Sequence, residues 1–321
     1  MNTLVFPPSA KFLVNFVCFC SSLFSLSPTL SNFLSFFDSV VRFAAMNAKQ
    51  AKIRSILDRE PLSIQNNALC FIEGDCLPKH TAGSGLQAFL QERLKKHGGL
   101  YYFLIEQISP VRAGQRSRRV RKQLLNRYGK AAVVVNYGSG PRIYCGRRDV
   151  VNTDIYAFDE VDVVADTTLP FKDGAVDLFL NIAVLEHMKQ PEIAVSEMLR
   201  CLKTGGEVFA FAPFMQPVHA APHDYRRWTD AGLRELFSGF DIIEIGPGTG
   251  PTSGMLWVLQ EWVSVALSFG CPVLKDIVLL AAMLLTFPLK HLDLVLERLP
   301  VPNRVASGYC IHARKPGQGN S

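Results

Sequence analysis

A β-branched run that opens into a glycine turn, Ala131-Ala132-Val133-Val134-Val135-Asn136-Tyr137-Gly138-Ser139-Gly140, constrains this chain more than any other feature. Such a run reads as a buried strand, and glycines directly after it let the backbone turn sharply and approach a ligand closely. About 14 residues on, Val150–Asp154 reads as a second strand ending in an acid placed to accept from vicinal hydroxyls. Val161–Ala165 then ends in Asp166, and Ala175–Leu180 ends in Asn181. Open parallel sheets bind ligands where such strand ends converge. The spacing therefore predicts an α/β fold with strands over 131–136, 150–154, 161–165, 175–181, 207–212 and 240–245. Helices are predicted over 191–203 and 230–238, and the alternating Val305–Arg314 predicts a final strand. Pro191 suits a first helical position, Gly205-Gly206 a left-handed helix end, and Thr229 an N-cap.

These residues resemble the class I S-adenosylmethionine (SAM)-dependent methyltransferases of the type 11 group. The resemblance is carried by Gly138-Ser139-Gly140, Asp154, Ala165-Asp166 with Leu169-Pro170-Phe171, Leu185-Glu186-His187 and Leu202–Gly206, and by Pro222–Thr229 with Gly232-Leu233. It covers roughly 131–250 and the last strand. It implies a Rossmann-like, seven-stranded methyltransferase sheet whose last strand is antiparallel beside the sixth. It implies SAM as cofactor, with Gly138 and Gly140 at its methionine and ribose portion and Asp154 on the ribose hydroxyls. Ile155 would lie beside the adenine, Asp166 and Thr167 at the adenine amino group, and Asn181 and Ile182 at the sulfonium and amino-acid end. The sequence departs from the family at Asn136, where an acid usually stands. Asparagine keeps an acceptor oxygen there but loses the charge that would help hold the cofactor's ammonium.

The same residues weigh against a dinucleotide. No third glycine follows, and only Pro141–Asp149 separates the turn from the next strand, too little for the full helix whose N-terminus would face a pyrophosphate. For the acceptor side, proton chemistry near neutral pH favours histidine. His187 lies beyond the fourth strand, and His219, His223, Asp224 and Tyr225 lie in the loop 213–228 beyond the fifth. His187, His223, Asp224 and Tyr225 are the candidate catalytic residues. Their plainer roles are a helix cap for His187 and an Asp224–Arg226 ion pair. No metal is expected.

Outside the core, residues 1–45 are hydrophobic and uncharged from Phe12 to Phe37, read as an anchor or a non-native start ahead of Met46. Residues 46–130 read as a helical lead, with helices over 87–96 and 100–108. Between Arg112 and Lys130 it carries eight basic residues and no acid, either a solvated helix face or a contact for an anionic surface. The net charge is only +6 and no aromatic-interleaved platform accompanies the basics, so no nucleic-acid partner is expected. The apolar insert 250–300, within a methyltransferase domain spanning 131–314, has one stretch near spanning length and a second too short to cross alone. It reads either as buried helices or as an interfacial hairpin flanked by Trp257, Trp262 and Lys290. Residues 315–321 read as a disordered tail. The eight cysteines are scattered and suggest free thiols in a reducing compartment.

The expected function is methyl transfer to a lipid-linked or otherwise amphiphilic acceptor at the cytosolic membrane face, in the cytoplasm. The alternatives are a soluble small-molecule methyltransferase with the insert as a lid, and a non-catalytic membrane-associated protein on a degenerate methyltransferase fold.

Overall fold

A computed structural model describes residues 46–77, 107–141, 146–219, 223–299 and 304–317. The hydrophobic stretch 1–45, the helix expected over 87–96, most of that expected over 100–108, and 318–321 lie outside the described residues. The chain divides into two units, Met1–Lys52 and Ile53–Ser321. In the first, the described residues 46–52 are helical. The rest of this section concerns the second.

Its strands are β1 (Ser63–Gln65), β2 (Ala68–Cys70), β3 (Val134–Tyr137), β4 (Val151–Asp154), β5 (Val163–Val164), β6 (Val176–Ile182), β7 (Leu202–Pro213), β8 (Asp241–Thr249) and β9 (Gly308–Arg314). They form one sheet in the order β1-β2-β5-β4-β3-β6-β7-β9-β8. From β2 to β7 every neighbour is parallel; β9 is antiparallel to both β7 and β8. The seven expected strands are all present, and the last is inserted between the fifth and sixth.

Two strands were not expected. The sequence pattern of the lead segment points to helices, yet 63–70 form a hairpin that extends the sheet beyond β5, with Leu69 opposite Val163 and Cys70 opposite Val164. Its turn is Asn66-Asn67, both at positive φ, a conformation asparagine tolerates better than most residues. Strands this short carry little periodicity; burying Ala68 and Cys70 against Val161 and Val164 supplies the stability that local propensity lacks.

Alternation along the strands divides the core. Val135, Tyr137, Val151 and Phe179 face α2 (Pro191–Cys201) and α3 (Asp230–Leu236), while Val134, Leu178, Leu180 and Phe209 face α1 (Gln115–Arg127) through Val120 and Leu124. Pro191 opens α2, and the Thr229 hydroxyl accepts from Gly232 N at 3.1 Å to cap α3. Gly205 does not end α2: the helix caps at Leu202, and 203–206 instead loop out at the start of β7, with Gly205 at φ +73°. Cys201 and Cys310 are buried core thiols.

Several arginines of the basic helix turn onto the sheet. Arg116 and Arg119 share Glu244, and Arg127 joins Arg314 on the buried Glu207. Burial pushes the Glu207 carboxyl up, and its bonds to Arg314, His312 and Arg127 together bring it below the ordinary range.

Arg200, near the end of α2, fixes the loop that follows β5. Its guanidinium donates to the carbonyls of Leu169 (3.0 Å) and Phe171 (2.7 Å) and pairs with Glu197 and Asp173. Glu197 in turn accepts from Leu169 N. Only a planar fork serves four partners at these angles. Arg200→Met is expected to cost about 2–3 kcal/mol, because two carbonyls and the carboxylates of Glu197 and Asp173 lose their partner. Arg200→Lys should recover less than half of that. Urea unfolding of the three proteins tests this; a loss below about 0.5 kcal/mol for the methionine variant contradicts it.

The insert is a helical hairpin, α4 (Pro251–Ala266) and α5 (Pro272–Thr286), followed by a 3-10 segment (Phe287–Leu292) and α6 (Asp293–Leu296). The buried Asp293 carboxylate accepts from Thr252 N and Ser253 N and so caps α4. Lys290 donates to the carbonyls of Gln107 and Ser109, and Glu297 accepts from Gln115 N at the head of α1. The two long helices are clipped by Gln260–Thr286 and Lys275–Glu261. Their outer faces and the link between them leave Trp262, Phe269 (88% exposed), Ile277 and Leu285 (80% exposed) in solvent. Buried helices are therefore not what this insert forms.

Candidate functional site

The glycine turn sits at the C-terminal ends of β3, β4 and β6, in the crevice that the strand order leaves open. Gly138 and Gly140 both adopt left-handed backbone, φ +76° and +58°. At Gly138 a side chain is excluded outright, since a Cβ would lie 2.3 Å from Val184 Cγ2. Gly138 N and Ser139 N donate to Thr153 O at 2.7 and 3.1 Å, which pins the turn to the end of β4.

Asp154 closes this arrangement. Its carboxylate accepts from Gly140 N at 2.8 Å and from Tyr156 N at 3.2 Å. Burial pushes the carboxyl above its ordinary value, although the Gly140, Tyr156 and Ile155 amides pull the other way. This bond has a consequence for ligand choice. A phosphate-binding turn offers free backbone N–H groups to an anion, whereas here the turn presents one of its amides to its own carboxylate. A pyrophosphate would meet that negative charge; a diol or an ammonium would meet acceptors.

The other strand-end residues lie close by but face different ways. Tyr137, fully buried, donates from its hydroxyl to Asp166 O at 3.0 Å, and burial drives its pKa far up. Asp166 itself is exposed and Thr167 half-buried, at the rim of the crevice, as is Ile155 beside Asp154. Asn181 is buried, donating from Nδ2 to Tyr137 O at 3.3 Å, while its Oδ1 has no hydrogen-bond partner. Thr153 Oγ1 is likewise buried and unmatched. Ile182 points to the opposite face of the sheet, against the α1 side. Asn136 is buried beside Asn152, with Nδ2 3.3 Å from its Oδ1. Asn152 passes the chain of bonds on to Glu160 O and Asp162. A carboxylate at 136 would sit against Asn152 Oδ1, so the neutral amide suits this pair.

Past β6 the chain makes an unusual turn. Ala183 holds φ +56°, where a non-glycine residue costs about 1 kcal/mol, and its N–H is held by Phe211 O. That turn lays Val184 over Gly138 and delivers Leu185–His187 to the mouth of the crevice. Glu186 is fully buried, and neither carboxylate oxygen has a hydrogen-bond partner. His187 does not cap α2; its Nδ1 lies 2.6 Å from His223 O in the loop after β7. From the same loop His219 brings Nε2 to 3.6 Å from Glu186 Oε1, and His187 Nε2 lies 3.8 Å from that oxygen. The two imidazoles stand edge to face, 5.3 Å apart, and Trp257 of the insert flanks His219 at 5.4 Å.

Asp224 pairs with Arg227, not Arg226, and also accepts from His219 N at 2.9 Å. The Arg227 guanidinium pulls the Asp224 carboxyl down to about 2. Arg226 pairs instead with Glu192. His223 and Tyr225 are exposed, with rings 5.6 Å apart, and Tyr225 N donates to Glu186 O. Glu186 stands in the sequence only within the Leu185-Glu186-His187 motif; its burial cannot be read there, because a glutamate before a histidine is indistinguishable from a surface helix start until the fold buries it.

Residues 113–210 match the family model for the methyltransferase domain, type 11. That segment carries the glycine turn, both strand-end acids and Glu186-His187. No curated protein matches the chain significantly. Among solved structures the chain is similar to the [4+2]-cyclase SpnF, at 16% identity and a TM-score of 0.40 over 76% of this chain and all of that one. It is similar to the 1,6-didemethyltoxoflavin-N1-methyltransferase of Burkholderia thailandensis, at 14% identity and a TM-score of 0.39 over 76% of this chain and 93% of the other. A third is the phosphoethanolamine N-methyltransferase 2 of Haemonchus contortus, at 15% identity and 0.38, over 62% of this chain and 52% of that enzyme. The family match falls on the strands and turns that build the crevice, so residues 113–210 are those that match a methyltransferase domain.

Proposed function

We propose that the chain methylates an amphiphilic or lipid-linked acceptor at the cytosolic face of a membrane, with SAM as donor. The observation that carries the donor half is the Gly140–Asp154 bond, which makes the turn unsuited to phosphate and leaves acceptor groups at the strand ends. Gly138, Gly140 and Asp154 would hold the ribose and methionine portion, and Ile155, Asp166 and Thr167 the adenine. The buried, unmatched Asn181 Oδ1 fits a cofactor that brings an ammonium donor. SAM supplies an electrophilic methyl on a sulfonium. The protein's own contribution is alignment and exclusion of water: Val184 seals the turn, and the 213–228 loop with Trp257 walls the acceptor side. His187, His219 and Glu186, with Asp224 behind them, are the groups that would meet the acceptor.

The acceptor half rests on the insert. Its two helices, 16 and 15 residues, are each roughly 22–24 Å long, short of a bilayer's hydrocarbon core. One continuous helical stretch, Pro272–Leu296, is long and apolar enough to cross. Within it, however, Lys290 and Asp293 are buried on protein partners, which anchors that end in the domain. An interfacial hairpin fits better than a span, with Trp262, Phe269 and Leu285 as its contact face. The arginines that bind Glu244 and Glu207 leave the basic helix a lesser part in that contact.

Calorimetry should show one SAM bound per chain, and labelled SAM should mark the lipid-extractable fraction of a membrane preparation. The protein should float with liposomes, and the double variant Phe269→Ser with Leu285→Ser should float at least about tenfold less while binding SAM normally. A folded protein that binds no SAM removes the donor half; equal flotation of the variant removes the acceptor half.

A further inference from the structure

Glu186, His187 and His219 place one ligand atom each within 4.8 Å of one another. We propose that they form a binding site for a divalent transition-metal ion of the zinc class, with at least one position left for an oxygen of the acceptor. That last clause rests on the methyl-transfer reading; the metal site does not.

Three observations converge. The first is the proton bookkeeping of the imidazoles. His187 Nδ1 lies 2.6 Å from the carbonyl of His223, and His219 Nδ1 lies 3.1 Å from the carbonyl of Pro217. A carbonyl only accepts, so each ring must donate from Nδ1. In the neutral rings both Nε2 atoms then carry lone pairs, and both face Glu186.

The second is the carboxylate. Glu186 is fully buried and neither oxygen is hydrogen-bonded. A buried carboxylate between two imidazoles calls for a cation among them, either a proton on one ring or a metal ion that both rings and the carboxylate bind. The neighbouring guanidinium does not supply it, since Arg227 is paired with Asp224.

The third is distance. The separations of 3.6 and 3.8 Å from Glu186 Oε1 to the two Nε2 atoms exceed a hydrogen bond. They lie a few tenths of an ångström above the roughly 3.3–3.5 Å edge of a tetrahedron whose bonds are about 2.0–2.1 Å long. Two histidines and one carboxylate with an open position is a donor set suited to zinc or cobalt. The carbonyl bonds at both Nδ1 atoms are the outer contacts that orient metal-ligating imidazoles. The position is also right for the reaction, since Val184, two residues before Glu186, covers the glycine turn.

The test uses the full chain, stripped with a chelator and titrated with cobalt(II), then with zinc as competitor. About one cobalt per chain should bind, with visible ligand-field absorption of a four- or five-coordinate ion that zinc abolishes. Glu186→Gln and His187→Gln should each weaken binding by at least about tenfold, and His291→Gln, at an exposed histidine elsewhere, should leave it unchanged. His219→Cys keeps a ligand, so it should still bind and add a thiolate-to-cobalt charge-transfer band. A folded wild type that takes up neither metal overturns the proposal, as does a Glu186→Gln protein that binds like wild type. Should Glu186→Gln fail to fold by circular dichroism, the His219→Cys spectrum decides, and cobalt bound without the sulfur band overturns the site. SAM calorimetry on the stripped protein separates the two readings: SAM binding without metal uptake overturns only the metal site, and metal uptake without SAM binding overturns only the methyl-transfer reading.

Discussion

Gly138→Ala should abolish SAM binding and destabilise the domain by about 2–5 kcal/mol. Two independent costs add. At φ +76° a β-carbon meets its own backbone, at about 1–2 kcal/mol. The new methyl would also lie 2.3 Å from Val184 Cγ2 and 2.6 Å from Cγ1, and such overpacking costs about 1–3 kcal/mol. Val184 cannot step aside freely, because the strained Ala183 and the hydrogen bond from its N–H to Phe211 O fix its backbone. The two costs can be separated. Adding Val184→Ala to Gly138→Ala removes the two methyls in collision and should return about 1–2 kcal/mol, while the left-handed strain persists. Chemical denaturation of the single and double variants, beside SAM calorimetry, measures both. A single variant within 1 kcal/mol of wild type, or one that binds SAM within tenfold, would show that the turn is not the tight cradle described above.

Asp154→Ala is expected to cost at least about 100-fold in SAM affinity, or about 2.7 kcal/mol of binding. It should also cost about 2 kcal/mol of stability, because the Gly140 and Tyr156 amides lose their acceptor in a largely buried place. Asp154→Asn sharpens the reading. Its carbonyl oxygen can keep one of the two amides, so stability should fall by less than half as much. Its NH2 then faces the other amide and a ribose diol with donors only, so affinity should remain low. Loss of stability with unchanged SAM affinity would make Asp154 a purely structural clamp on the turn. Glu186→Gln, the metal-site variant, should leave SAM affinity near wild type, which distinguishes the two ends of the crevice.

The parallel core was legible because its strands are buried on both faces, and a β-branched run closed by glycine or an acid has few other ways to fold. That holds for Val133–Gly140, Val150–Asp154 and Val176–Ile182. Thr229 as a cap and Pro191 as a helix start were legible for the same local reason. The hairpin 63–70 was not, since three-residue strands have no period to read; only the edge of β5 gives them a partner. Gly205-Gly206 after a helix read as a left-handed end, but pairing of Leu202 with Val176 takes the chain into the sheet first and leaves the glycines in a loop.

The site divides along the same line. Order along the chain placed Gly138, Gly140, Asp154 and Asp166 at one crevice, because parallel strands joined by short crossovers must end on one side. It could not say that Asn136 is bonded to Asn152 or that Ile182 packs on the α1 side, since side-chain direction depends on register, which pairing fixes. Nor could it show that Glu186 is buried. Between Glu186 and His219 lie a helix and a whole strand, and only the packing of the residues around His219 and Tyr225 against the end of β6 brings a buried carboxylate and two histidines together. Local periodicity and turn chemistry were enough to read the fold class and to gather the strand ends at one crevice. Which polar groups end up buried without partners depends on how the elements pack, because burial is a property of surfaces in contact and not of residues in order.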